Sequence, residues 1–295
     1  MTLPTLLSNF RELAPQHDAL ICDVWGVLHN GRVTYQEAAD ALRNFKNNHG
    51  PVILLTNAPR PVADLEVIFQ KLGVPLDCYD AIMTSGVAAR AELAQRAGHW
   101  GLKLLHLGPE RDRGVFAGLP LECPLVETRK AALGAVDAAE IVLNTGLYDD
   151  ETEKPKDYHK LFQAMKDKNL TMLCANPDIV VERGDKLIWC AGALARDYAK
   201  LGGDVIYYGK PHKPIYDTVL ALAAKIAGRA PTRSLAIGDG ADTDIKGANA
   251  MGIDALFIAQ GVHAAQLGDF TADGIAQFFA VPGVHAKAAM RALVW

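Results

Sequence analysis

Short apolar runs recur along the chain, and most are followed by a segment with helical spacing. Ala19-Leu20-Ile21-Cys22 and Val52-Ile53-Leu54-Leu55 are apolar throughout rather than alternating, the pattern of strands buried on both faces. A helix is predicted over 63–72. It comes after Pro59 and Pro61 and stops at Gly73, with Pro75 just beyond. Ala81–Thr84 reads as a third strand and 87–97 as the next helix. A second series opens in the middle of the chain, with strands over 103–107, 141–143 and 171–175 and a helix over 156–168. A strand over 205–208, a helix over 215–227 and strands over 234–237 and 255–258 are expected to complete the outer sheet. The apolar side of 284–295 (Val284, Ala288, Leu293, Trp295) predicts a C-terminal helix that covers it.

Strands alternating with helices predict parallel pairing and an α/β fold: a doubly wound, Rossmann-like core with a second α/β unit inserted. The expected division is a core of residues 1–87 and 187–295 and an inserted cap of residues 88–186. Half of the 295 residues are apolar, enough for a sizeable core. Net charge is −4 with both signs well mixed, which argues against a nucleic-acid stripe or a polybasic membrane segment. The apolar runs are too short to span a bilayer, and the first residues carry no signal-peptide pattern, so the expected location is the cytoplasm. Five widely spaced cysteines without a C-x-x-C pair read as reduced thiols, and Cys22 as a buried structural one.

Candidate chemistry falls at four strand ends. Asp23-Val24-Trp25-Gly26-Val27-Leu28 follows the first strand. A carboxylate there is costly to bury without a partner, and it can be a nucleophile, a metal ligand or a helix cap. Gly26 lets the chain turn sharply and bring main-chain N–H groups to an anion. Thr56 and Asn57 offer a hydroxyl and an amide, either for an oxyanion or as ordinary caps. Lys210, in Gly209-Lys210-Pro211, can neutralise a phosphate or orient Asp23. His212 and Lys213 beside it are expected to be exposed. Gly238-Asp239-Gly240-Ala241-Asp242-Thr243-Asp244 places three carboxylates within a turn, where they repel unless a cation intervenes, with Asp242 the one expected to be merely exposed. Oxygen-only ligands suit Mg²⁺, whereas the spacing does not make an EF-hand. Phosphoryl transfer needs such a set: an in-line nucleophile, cationic neutralisation and a divalent metal.

In this order the four motifs resemble the haloacid dehalogenase-like (HAD) hydrolase superfamily. The long insertion between the second and third motifs looks like its class IIA cap, as in pyridoxal phosphatases, nitrophenylphosphatases and NagD-type phosphatases. Thr84-Ser85-Gly86 and Ala175-Asn176-Pro177-Asp178 fit that branch. The resemblance implies a phosphatase for a small phosphorylated metabolite, in which Asp23 forms an aspartyl-phosphate. Mg²⁺ would be held by Asp23, the carbonyl of Trp25 and Asp239, with Asp244 in support. Thr56, Asn57 and Lys210 would bind phosphate. Asn176 and Asp178 would touch substrate from the cap, or simply build a turn. Homodimerisation stays open, and neither nucleic acid nor membrane is an expected partner.

One departure matters. Such phosphatases carry a second Asp two residues after the first, and here that position is Trp25, which cannot exchange protons. A good leaving group, a substitute residue or loss of turnover would each account for it. His29 and His212 are near in sequence, although both read as solvated loop histidines. Haloacid dehalogenases place an aromatic residue at this position and need no metal, which makes carbon–halogen hydrolysis the second enzyme reading. A phosphometabolite sensor without turnover is the non-enzymatic one.

Overall fold

The computed structural model describes residues 3–98, 102–183, 186–264, 267, 270–280 and 283–295. Its strands, in chain order, are β1 (Thr5–Leu6), β2 (Ala19–Cys22), β3 (Val52–Thr56), β4 (Ala81–Thr84), β5 (Leu102–Leu107), β6 (Leu121–Glu122) and β7 (Ile141–Asn144). They continue with β8 (Met172–Cys174), β9 (Val180–Arg183), β10 (Lys186–Trp189), β11 (Val205–Tyr207), β12 (Ser234–Gly238), β13 (Asp254–Ile258) and β14 (Ala288–Met290). A first, all-parallel sheet has the order β1-β14-β13-β12-β2-β3-β4. The second, also parallel, has the order β11-β8-β7-β5-β6. An antiparallel hairpin, β9–β10, stands apart from both.

The expected α/β, doubly wound architecture is therefore present. From β2 the chain winds outward through β3 and β4. It returns at β12 on the other side of β2 and winds away through β13 and β14. The switch point lies between β2 and β12, and open sheets of this kind bind ligands at the carboxyl ends of strands flanking it. The continuous apolar runs are explained by two-sided burial. Leu20, Cys22, Val52 and Leu54 pack with Leu42 and Phe45 of the helix Gln36–Asn48. Ala19, Ile21, Ile53 and Leu55 pack with Tyr216 and Val219 of the helix Lys213–Ala227. Burying each Leu, Ile, Val or Phe among them stabilises the fold by about 1.5–3 kcal/mol.

The helix Val62–Leu72 ends as expected. Gly73 takes φ 74°, and Val74 N–H reaches back to Phe69 O at 2.9 Å. Thr84 starts the helix Ser85–Ala97, accepting from Val87 N at 3.0 Å.

Two expectations fail. Strand β11 was expected in the outer sheet but pairs with β8, so the second sheet extends past residue 186. The segment 284–295 was expected to be helical, yet Ala288–Met290 forms β14 between β13 and β1. Its small residues favour a helix in isolation. Burial on both faces of the sheet overrides that preference. The segment still covers the first sheet: Trp295 meets Phe10 edge-on at 5.9 Å, and Arg11 Nη2 donates to its carbonyl at 3.3 Å. Among the described residues, no helix is long and apolar enough to cross a membrane.

Candidate active site

Asp23 ends β2 and Asp239 follows β12, so the switch point brings the two carboxylates to one edge. After β12 the chain makes a single wide turn, Ala241–Ile245, closed by Ile245 N–H to Gly240 O at 3.1 Å. Turns of this i→i+5 type concentrate at functional sites. Here the turn folds Asp244 inward and leaves Asp242 exposed, as expected. Asp244 Oδ2 is held by Gly240 N–H at 3.1 Å. Carboxylate oxygens of Asp23, Asp239 and Asp244 lie within 4.8 Å of one another, all buried.

Lys210 arrives from β11, the edge strand of the second sheet. It is 3% exposed. Its Nζ contacts the Asp23 carboxylate and donates to Asp244 Oδ1 at 2.7 Å. Gly209 is required there. Its φ is 123°, and a Cβ would lie 2.1 Å from Ser85 Oγ and 2.5 Å from Asn57 Oδ1. Gly26 is equally constrained: φ is 88°, and a Cβ would meet Asp239 Oδ2 at 2.2 Å. Asp239 is held from the other side by Val262 N–H at 2.8 Å.

Both ends of the Asn57 amide are in use. Its Oδ1 accepts from Lys210 N at 2.8 Å and Ser85 Oγ at 3.1 Å. Its Nδ2 donates to Asp178 Oδ1 at 2.8 Å and Lys210 O at 3.3 Å. Asn57 thus fixes the lysine backbone and ties it to Asp178 of the loop before β9. Thr56 Oγ1 caps locally, accepting from Ala58 N at 3.2 Å. Asn176 Oδ1 accepts from Asp178 N at 3.0 Å, so the Asn-Pro-Asp turn forms and its Asp also faces the site. The roles of Ser85, Val262 and the arginines below were not apparent from sequence. Ser85 alone left a trace, in Thr84-Ser85-Gly86.

Burial lifts the Asp23 pKa to about 7, opposed by Lys210 and reinforced by Asp244. Burial, with Asp23 and Asp244 alongside, drives Asp239 well above the usual carboxylate range. Burial also disfavours the charge on Lys210, yet Asp23, Asp244 and Asp178 outweigh it and hold the ammonium firmly protonated. Three carboxylates against one ammonium crowd a buried, oxygen-lined site in which Asp23 and Asp239 resist ionising without a further cation. That donor set fits a hard divalent cation.

Around this centre is a cavity of about 50 Å³, lined by Asp23, Gly26, Asn57, Lys210, Asp239 and Asp244 among others. A larger one of about 390 Å³ opens beyond it, between the two sheets. Trp25 and Trp189 line it, as do Arg60, Arg111 and Arg183. Arg60 Nε holds the buried Asp112 at 2.9 Å, and Asp150 is shared by Arg111 and Arg183 at 2.6 and 2.8 Å. His29, expected to be solvated, is 1% exposed. Its ring packs between Trp25 and Phe69, and burial lowers its pKa to about 4. His212 is exposed, as expected, and lines neither cavity.

Comparison with known proteins places the chain in a family. A family model described as haloacid dehalogenase-like hydrolase matches residues 20–121, and a second, HAD-hydrolase-like, matches 207–280. A hydrolase of the haloacid dehalogenase-like family from Brucella suis is 41% identical. The match covers 98% of this chain and 100% of that one, with a TM-score of 0.83. A possible sugar phosphatase of the HAD superfamily from Cytophaga hutchinsonii is 18% identical, covering 99% of both chains at a TM-score of 0.78. A 4-nitrophenylphosphatase from Thermotoga maritima is also 18% identical, covering 95% of both chains at 0.67. No curated protein matches the chain at a comparable level. With Asp23 at its strand end, Lys210 and its acidic turn in family order, the chain belongs to the haloacid dehalogenase-like hydrolases and has the fold of their class IIA branch.

Proposed function

We propose that the chain is a divalent-metal-dependent phosphatase acting on a small phosphorylated metabolite. The observation that carries this reading is the charge arrangement: Lys210 wedged between Asp23 and Asp244, with Asp239 adding a third buried carboxylate. Asp23, Asp239 and the carbonyl of Trp25 would hold Mg²⁺, with Asp244 in support. The ion would neutralise charge on the transferring phosphoryl group. Asp23 is the nucleophile, and Lys210 both orients it and neutralises phosphate oxygens. Thr56, Gly26 and the small inner cavity accommodate the phosphoryl group, while Asn57 holds Lys210 in place. The larger cavity receives the rest of the substrate, with Asn176 and Asp178 at its wall. The fold neighbours described above, one named a 4-nitrophenylphosphatase and one a possible sugar phosphatase, support this reading. A carbon–halogen hydrolase would have no use for this acidic cluster. Five free cysteines fit the cytoplasm as the site of action.

The test is release of phosphate from 4-nitrophenyl phosphate with Mg²⁺. Turnover should stop on chelation and in Asp23→Asn. Metal-independent halide release from 2-haloacids, with no phosphate release, would instead establish a dehalogenase.

A further inference from the structure

The inner and outer cavities share four lining residues: Trp25, Thr56, Asp178 and Val181. If the phosphoryl group occupies the inner cavity and the leaving group the outer one, the bridging oxygen lies within this ring. Among the described residues, the candidates to protonate the leaving group are therefore these four. An indole and an isopropyl group cannot exchange protons there. The Thr56 hydroxyl is too weak an acid, and its oxygen already accepts from Ala58 N.

Asp178 differs from the other three. Its main-chain N–H is fixed by Asn176 Oδ1, and its Oδ1 is fixed by Asn57 Nδ2. Its Oδ2 has no hydrogen-bond partner among the described residues. The carboxyl is thus oriented with one oxygen to spare. We propose that Asp178, from the loop before β9, supplies the proton that position 25 cannot, and so replaces the missing general acid and base. This rests on the phosphatase reading.

In the first step an Asp23 oxygen bonds to phosphorus. The ester P–O bond breaks, and the Asp178 proton passes to the departing oxygen, which leaves as an alcohol or phenol. In the second step water attacks phosphorus and gives its proton to the Asp178 carboxylate. The Asp23–phosphorus bond breaks, inorganic phosphate forms and both residues are restored. The surroundings favour the protonated start. Burial raises the Asp178 pKa; Lys210 and the Asn57 amide oppose this, and Asp244 adds to it. Neither histidine competes: His29 Nδ1 accepts from Gly31 N–H at 3.1 Å, and His29 lines only the outer cavity.

The test compares Asp178→Asn with the wild type on phenyl phosphate and on 4-nitrophenyl phosphate, whose leaving group needs far less protonation. Asn can still accept from Asn57, so the loop should keep its shape. The expected loss in kcat/KM on phenyl phosphate is about 10²–10³-fold, within the usual range for a general acid, with a much smaller loss on 4-nitrophenyl phosphate. The pre-steady-state burst of nitrophenol should survive, and phosphorylated Asp23 should accumulate because its hydrolysis lacks a base. The alkaline fall in wild-type activity on phenyl phosphate should vanish in the variant. Burst and steady-state rates come from one preparation, so partial misfolding does not mimic the pattern. Equal losses in kcat/KM on the two substrates, or a rise in KM alone, would overturn the proposal and leave Asp178 a binding residue. A wild type inert towards both esters with Mg²⁺ would overturn the phosphatase reading, and this inference with it.

Discussion

A lysine shut away from water ordinarily gives up its proton, because burial penalises the charged form. Lys210 keeps its proton because two carboxylates touch its ammonium group and a third acid, Asp178, stands near. Removing one partner of a buried ionic cluster costs about 3–5 kcal/mol, since the remaining charges lose their compensation. Lys210→Met should therefore lower the melting temperature markedly in metal-free buffer. Mg²⁺ should restore more of the loss than it adds to the wild type, because the cation then offsets three carboxylates alone. Differential scanning fluorimetry with and without Mg²⁺ checks this. Equal Mg²⁺ increments in the two proteins would mean that the carboxylates do not share the ion. Activity should fall at least 10²-fold in the variant, whatever the metal concentration, because phosphate neutralisation is lost as well.

The elements that deliver these residues were legible in unequal measure. Strands β2, β3 and β12 announce themselves because two-sided burial demands an unbroken apolar run, and the polar residue ending each run must face the sheet edge. The stop at Gly73 is equally local, a left-handed residue followed by Pro75. By contrast, β11 and β14 were misplaced because their membership is decided by partners distant in sequence, Met172–Cys174 and Asp254–Ile258. Trp25 showed that an acid was missing, yet nothing local could show that the loop before β9 folds back over it. The connection between the two sheets is a further element-scale device. Thr84, fully buried, ends β4, caps the helix Ser85–Ala97 and donates its hydroxyl to Arg60 O at 2.6 Å. Thr84→Val keeps the shape and removes both bonds. It should cost about 1–2 kcal/mol in urea denaturation, the usual effect of a lost cap with a buried acceptor left unpaired. A change within a few tenths of a kcal/mol would show that the cap is dispensable.

Across the whole molecule, each buried apolar cluster belongs to one sheet and its helices, and among the described residues none mixes strands of both. Over the site the sheets are joined by polar contacts, among them Lys210 to Asp23 and Asp244, Asn57 to Asp178 and Arg60 to Asp112. Interfaces without a large apolar core permit relative motion of the bodies they join. Substrate must enter the outer cavity between them, so these contacts set how readily the molecule opens. Asp112 is 3% exposed, and Arg60 is its ion-pair partner from the first sheet. In Arg60→Ala the buried Asp112 carboxylate would lose its hydrogen-bonded ion-pair partner, which favours a swing of the second sheet that lets water in. The variant should show a larger radius of gyration by small-angle scattering. Its KM should rise several-fold at nearly unchanged kcat, because the closed form, once reached, keeps Asp23, Lys210 and Asp178 in place. Saturating phosphate analogue with Mg²⁺ should bring the scattering curve back to that of the wild type. A variant as compact as the wild type without ligand, with the same KM, would mean that the Arg60–Asp112 pair does not govern opening.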